Sequence, residues 1–387
     1  MKNNLRFPRF LVLTAASMAI ACSQGAPPPD APPAAPSPVA SSAPSTRPRA
    51  AAPAPTAAPA VSPPATSPPA PPKESAVAVL QRDAKALLPL VRSDLARAFL
   101  DAASALPAVA PRRVYHDAEK TRYWSEAEAR RLPEAERKAL TERTIDEEFY
   151  YNTNYGTPLA YARPLDILAL GKDALAGKRI LDFGFGGIGQ LRIFASLGAD
   201  VTGVEVDPLT RALYTEPGDQ GPIKGLHGRD GRLSLVFGRF PAEPSVKNAV
   251  GAPYDLFISK NVLKRGYIHP EQPVKERHQI NLGVSDAAFV ETVHSMLNHG
   301  GHFFIYNLTP APNAPGKPYK PWADGRSPFP KKMLEDAGFM VLAFEKDDTP
   351  AARAMARSLG WDKGEGAMDV ENDLFAQFTL CRKRTRM

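Results

Sequence analysis

The chain has 387 residues, with 41 prolines, 27 glycines, two cysteines and a formal net charge of +7. Two cysteines exclude a fold held by several disulfides, and although the length allows two domains, the proline content excludes folding of the whole chain. Lys2, Arg6 and Arg9 at one end and Arg382, Lys383, Arg384 and Arg386 at the other supply the excess charge, and no basic stretch carries the interleaved aromatics of a nucleic-acid surface, so no nucleic-acid partner is expected.

Residues 1–21 read as an export signal. The three cations give it a positive start, and Phe10 to Ala21 is an apolar run too short to span a bilayer comfortably. It ends in Met18-Ala19-Ile20-Ala21-Cys22 and resembles a bacterial lipoprotein signal. The resemblance implies cleavage before Cys22, lipid on its thiol, and attachment to the cell envelope. Ser23 points to the periplasmic side of the outer membrane; a misassigned start would leave the chain cytoplasmic. The stretch 22–72 is rich in Pro, Ala and Ser, with only Asp30, Arg47 and Arg49 charged. It cannot bury a core and is expected to be a disordered, semi-rigid tether. With Cys22 lipidated, Cys381 has no disulfide partner.

Residues 73–150 are expected to form a helical extension. Val77, Leu80, Leu87, Leu88, Val91, Leu95 and Phe99 fall on one helical stripe, which Pro89 should divide. Ser125 and Glu128 have the spacing of a capping box, and Pro133 suits the start of a helix running to Glu148. The extension is expected to pack on the domain that follows. Residues 149–158 then bring Tyr150, Tyr151 and Tyr155 together with Asn152 and Asn154 in a turn-rich segment.

From Arg179 an apolar strand runs through Ile180-Leu181-Asp182-Phe183 into Gly184-Phe185-Gly186-Gly187-Ile188-Gly189. A helix is expected from Gln190, followed by a second strand that ends in Gly203-Val204-Glu205-Val206-Asp207-Pro208. This is a nucleotide-binding βαβ unit. Glycine lets the chain turn sharply and approach a ligand, with N–H groups at the helix start available to it. Glu205 is placed to accept both hydroxyls of a ribose. The spacing of Gly184, Gly186 and Gly189 also fits a dinucleotide fingerprint, but Asp182 would repel a pyrophosphate.

Asp182-Phe183-Gly184-Phe185-Gly186 and Gly203-Val204-Glu205-Val206-Asp207-Pro208 resemble the class I S-adenosylmethionine-dependent methyltransferases. The resemblance implies S-adenosylmethionine as cofactor, with Asp182, Gly184 and Gly186 along its methionine and ribose side and Glu205 on the ribose. The third glycine, which this family often has at the position of Ile188, falls at Gly189. The family's segment before the first strand often folds over the cofactor, which makes Tyr155 and Asn154 candidate lid residues; the alternative is an aromatic hinge packing two modules together.

Further strands are expected at Leu233–Phe237, Tyr254–Ser259, Gly301–Tyr306, Met340–Phe344 and Leu374–Leu380, with a helix at Lys331–Gly338. The last strand corresponds to the antiparallel one that closes this family's sheet. The third strand runs into Gly238-Arg239-Phe240-Pro241, where the family commonly has an acid on the adenine, so backbone or an apolar wall must serve there. The loop after the fourth strand is the natural acceptor site. It carries Ser259, a cofactor-side candidate, and Lys260, Lys264, Arg265 and His269, which suit an anionic acceptor or its proton. The motifs of exocyclic-amine and cytosine-carbon methyltransferases are absent. His294, His299 and His302 match no common zinc spacing, so no metal is expected.

The sequence therefore predicts an α/β chain with a Rossmann-like, doubly wound, seven-stranded methyltransferase sheet. The leading function is methyl transfer to an unidentified acceptor, small molecule or protein. The alternatives are a non-enzymatic envelope lipoprotein using this domain as a binding module and, more weakly, a nicotinamide-dependent oxidoreductase.

Overall fold

The computed structural model describes residues 74–384, apart from 155, 227 and 365. Its first part is helical. Helix Ala76–Leu87 is capped by Ser75, gives way to a 3-10 turn at Leu88–Leu90, and is followed by helix Asp94–Asp101. Pro89 divides the stripe as its missing N–H requires. Leu80, Leu87, Leu95 and Phe99 are buried along it.

The next stretch departs from the expected helices. The capping box at Ser125 forms, but it opens a helix of only four residues, Glu126–Ala129. Pro133 caps helix Glu134–Lys138, and the chain then turns into a strand instead of continuing to Glu148. A small antiparallel sheet results. Its strands are β1 (Arg112–His116), β2 (Tyr123–Ser125) and β3 (Thr141–Ile145), with β1 in the centre. The physical reason lies in β3 itself. Thr141, Thr144 and Ile145 are β-branched, Ile145 points inward, and Glu142 accepts the Tyr115 hydroxyl across the pair at 2.8 Å. Helix Glu147–Asn152 starts afresh, capped by Asp146.

The main sheet has eight strands. They are β4 (Arg179–Phe183), β5 (Asp200–Glu205), β6 (Gly221–Ile223), β7 (Gly231–Phe237), β8 (Tyr254–Lys260), β9 (Leu297–Thr309), β10 (Phe339–Asp347) and β11 (Phe375–Lys383). Their order across the sheet is β10-β11-β9-β8-β4-β5-β7-β6. β7, β5, β4, β8 and β9 are parallel, and β11 lies antiparallel between β9 and β10. This is the expected doubly wound sheet of seven strands, widened by the short antiparallel edge strand β6. From β4 the chain winds outward one way through β5 and β7, then the other way from β8. The switch point lies between β4 and β8, where ligands bind in open α/β sheets.

Successive residues of β4 enter different cores, as strand alternation requires. Ile180 joins Ile258, Phe304 and the extension's Leu95 and Phe99, while Leu181 joins Phe257, Phe289 and Phe303 on the other face. The extension is therefore part of the main core. Phe99 packs on Phe194 with ring centroids 5.2 Å apart. Buried polar ties reinforce the join. Glu147 accepts the N–H groups of Ala76 and Val109 at 2.8 and 3.0 Å. Arg112 forms a fork on the fully buried Asp219, at 2.6 and 2.9 Å, and the Tyr150 hydroxyl donates to the same carboxylate. Arg163 grips Asp348 and Asp166, and the Tyr306 hydroxyl donates to Asp348 at 2.9 Å.

Candidate functional site

β4 delivers Asp182 and then turns at Gly184 and Gly186, which have φ of +71° and +60°. Side chains strongly disfavour these angles. The helix that follows is Gly189–Ser196. Glu205 ends β5 beside the turn, and its Oε2 accepts the Gly186 N–H at 3.0 Å. Its Oε1 accepts the N–H groups of Val206 and Asp207, at 2.7 and 3.2 Å. Burial pushes the Glu205 pKa up against those three bonds. A carboxylate has about four acceptor positions. Oε2 thus retains room for one more donor, whereas the sequence suggested that both hydroxyls of a ribose would be accepted.

Three further N–H groups of the turn are bonded within the chain. Gly184 donates to the Val204 carbonyl, Gly187 to that of Phe185, and Ile188 to the Tyr214 hydroxyl. A Cβ on Gly184 would lie 2.4 Å from Val262 Cγ2, so this close approach serves the loop after β8. The backbone of the segment before β4 also lies on the turn. The Tyr151 carbonyl sits 3.1 Å from where a Cβ on Gly187 would be, and 3.3 Å from the same position on Gly189. Tyr150 and Tyr151 are buried packing residues set edge to face, as the hinge alternative predicts. Tyr155 lies outside the described residues, as do Cys22, the signal and the tether.

Asp182 is completely buried. Its Oδ1 accepts the Tyr161 hydroxyl at 3.0 Å and its Oδ2 the Gln190 side-chain amide at 3.1 Å. Gln190 donates also to the Phe185 carbonyl, which locks the turn. Burial raises the Asp182 pKa to about 7, opposed by those two bonds and by the charge of Lys260. Tyr161 and Gln190 were not recognised as site residues from sequence. Gln190 marked only a helix start, and nothing in the spacing of Tyr161 links it to Asp182.

The loop after β8 sorts the basic candidates. Ser259 is buried on the face opposite Asp182 and accepts the Leu263 N–H, so it braces the loop. Arg265 pairs with Glu271 and Asp324, and His269 with Asp286 at 2.7 Å, all with some solvent exposure. Lys264 is fully buried and donates to the Leu308 carbonyl at 2.7 Å. Burial, and secondarily the charge of Lys260, lowers its pKa to about 7. Lys260 is 9% exposed, with its ammonium 5.4 Å from the Tyr161 ring centre. Burial lowers its pKa to about 8, opposed by Asp182. Beyond Glu205, Val206 is 44% exposed, and Phe237 at the end of β7 is half-buried; the acid by the end of β7 is Glu243, which accepts the Arg239 N–H at 3.0 Å.

No family model matches the chain, and no curated protein matches it in sequence. Similar solved structures include the cyclase SpnF, with 16% identity and a TM-score of 0.35 over 58% of this chain and 81% of that one. An S-adenosylmethionine-dependent methyltransferase from Mesorhizobium loti has 18% identity and a TM-score of 0.35, over 58% of this chain and 98% of its own. A phosphoethanolamine N-methyltransferase from Haemonchus contortus has 12% identity and a TM-score of 0.35, over 64% and 63%. Likeness at this level says nothing of what this chain binds. The chain's own strand order defines a doubly wound α/β sheet whose first βαβ unit places Asp182, Gly186 and Glu205 at the adjacent ends of β4 and β5, beside the switch point.

Proposed function

We propose that the chain binds S-adenosylmethionine across the ends of β4, β5 and β8 and transfers its methyl group to an acceptor. The observation that carries this reading is the glycine turn. Four of its N–H groups are bonded inside the chain, which leaves fewer of them for a pyrophosphate, whereas Glu205 Oε2 keeps an acceptor position beside it. An adenosine ligand without phosphates fits that balance better than a dinucleotide. Glu205 would take one ribose hydroxyl, and Val206 and Phe237 would wall the adenine. Bound there, the cofactor supplies a methyl group on a cationic sulfur. The loop after β8 contributes rigidity: Asn261 accepts the Leu308 N–H at 2.7 Å, and Lys264 and Asn307 tie the loop to β9. In-line transfer gains much of its acceleration from such positioning.

Calorimetry on the full chain tests this with S-adenosylmethionine, S-adenosylhomocysteine and NAD. Heat is expected with the two adenosyl ligands and not with NAD. Glu205→Gln should weaken binding about tenfold, the scale of one hydrogen bond to a charged acceptor. No heat with either adenosyl ligand removes the proposal.

A second reading, a binding module without turnover, is favoured by how completely Asp182 and Glu205 are bonded within the chain. Methyl-labelled cofactor incubated with envelope extract discriminates. A labelled product that disappears with Glu205→Ala supports the enzyme, and binding without product supports the module. For the setting, we propose lipid on Cys22 and attachment to the envelope through the Pro-rich stretch. Palmitate labelling that survives Cys22→Ser would refute that.

A further inference from the structure

Asp182 on β4 and Lys260 on β8 project from one face of the sheet. Asp182 pairs with Ile258, and Lys260 lies two residues further toward the strand end. The two are near enough to feel each other's charge, yet no hydrogen bond or ion pair joins them. Asp182 directs its oxygens to Tyr161 and Gln190. Lys260, nine-tenths buried, makes no hydrogen bond or ion pair with any described residue; its ammonium lies over the face of the Tyr161 ring, a cation–π contact at 5.4 Å. Among the four basic residues of this loop it differs from the rest. Lys264 has a carbonyl, Arg265 two carboxylates and His269 one. The Lys260 Nζ is not among the described residues' fully buried polar atoms that lack a partner, so this ammonium keeps an open side. With no acceptor in the chain, that open side suits an anion brought by a ligand.

We infer that Lys260 receives an anionic group of the ligand and that, on the function proposed above, this group is the carboxylate of the cofactor's methionine end. The charge logic is then the reverse of what Asp182 suggests by itself. Asp182 lies deeper than Lys260, is bonded within the chain, and balances the lysine. It does not serve as the receptor for the ligand's ammonium. A ligand that keeps its amine and loses its carboxylate should be the poor one.

Calorimetry on the full chain decides this with three probes. S-adenosylhomocysteine carries amine and carboxylate, S-adenosyl-3-thiopropylamine only the amine, and 5′-methylthioadenosine neither. The wild type is expected to bind S-adenosylhomocysteine at least about tenfold more tightly than the thiopropylamine, the worth of one charge-assisted bond. Lys260→Met should bind these two equally, and Lys260→Arg should retain the preference. Unchanged 5′-methylthioadenosine binding by Lys260→Met shows that the adenosine site is intact. Should that variant fail to fold, Lys260→Gln takes its place in the same comparison. Equal wild-type affinity for the first two probes, or a preference surviving in Lys260→Met, overturns the inference and leaves the proposed function standing. If no adenosyl ligand binds, both fall together.

Discussion

Lys264→Met is the sharpest test of the electrostatics around the β8 loop. Lys264 is fully buried, has one hydrogen bond and titrates near 7, against 10.5 for the ordinary group. At about 1.4 kcal/mol per pKa unit, that depression corresponds to about 5 kcal/mol of penalty on the charged form in the folded protein. The sign follows from the direction. A lysine whose folded pKa is lowered destabilises the fold in full below pH 7. The penalty fades as pH rises from 7 to 10.5, where the unfolded chain also loses its proton. Methionine is similar in volume and carries no charge, but it leaves the Leu308 carbonyl without its donor, at a cost of about 1–3 kcal/mol. The variant should therefore be more stable than wild type by about 2–4 kcal/mol at pH 6. The advantage should shrink by about 1.4 kcal/mol per unit above pH 7 and reverse near pH 9. Urea unfolding from pH 6 to 10.5 at fixed ionic strength measures this. A stability difference that does not change with pH would refute the reasoning.

Arg163→Ala should destabilise the protein by about 3–5 kcal/mol in urea, because it strips Asp348 and Asp166 of their buried partner. Arg163→Lys should recover only part, since a lysine cannot make the fork on Asp348. Gly184→Ala should lower stability through two separable terms, the Val262 overlap and about 1–2 kcal/mol for a positive φ. Adding Val262→Ala should recover the first and leave the second, and full recovery would mean that the turn relaxes.

The large sheet is legible in the chain because buried parallel strands are short apolar runs with clear ends. Ile180 to Phe183 and Tyr254 to Ser259 needed no context. β3 was hidden by Pro133 and the helix-favouring Glu134 to Lys138, and its pairing with β1 is a long-range fact that outweighs local propensity. β6 was invisible because Gly-Pro-Ile has no pattern of its own; β7 makes it a strand. In the site, Asp182 and Glu205 fell where the βαβ spacing puts them. What their carboxylates bond to depends on Tyr161, Gln190 and the direction of single N–H groups, which no spacing encodes. The loop after β8 shows the same limit. Four basic residues look alike in sequence, and only their partners separate Lys260 from Lys264, Arg265 and His269.

The carboxylate of Glu147 gives the structure a load path. Its Oε2 holds the N–H of Ala76 at the start of the described chain, and its own helix, Glu147–Asn152, lies against the glycine turn through the Tyr151 carbonyl. A pull on residue 74 therefore has a direct hydrogen-bonded route to the element that rests on the turn, beside its route through the core. Tension from anything attached upstream would reach the neighbourhood of the glycine turn as well as the core.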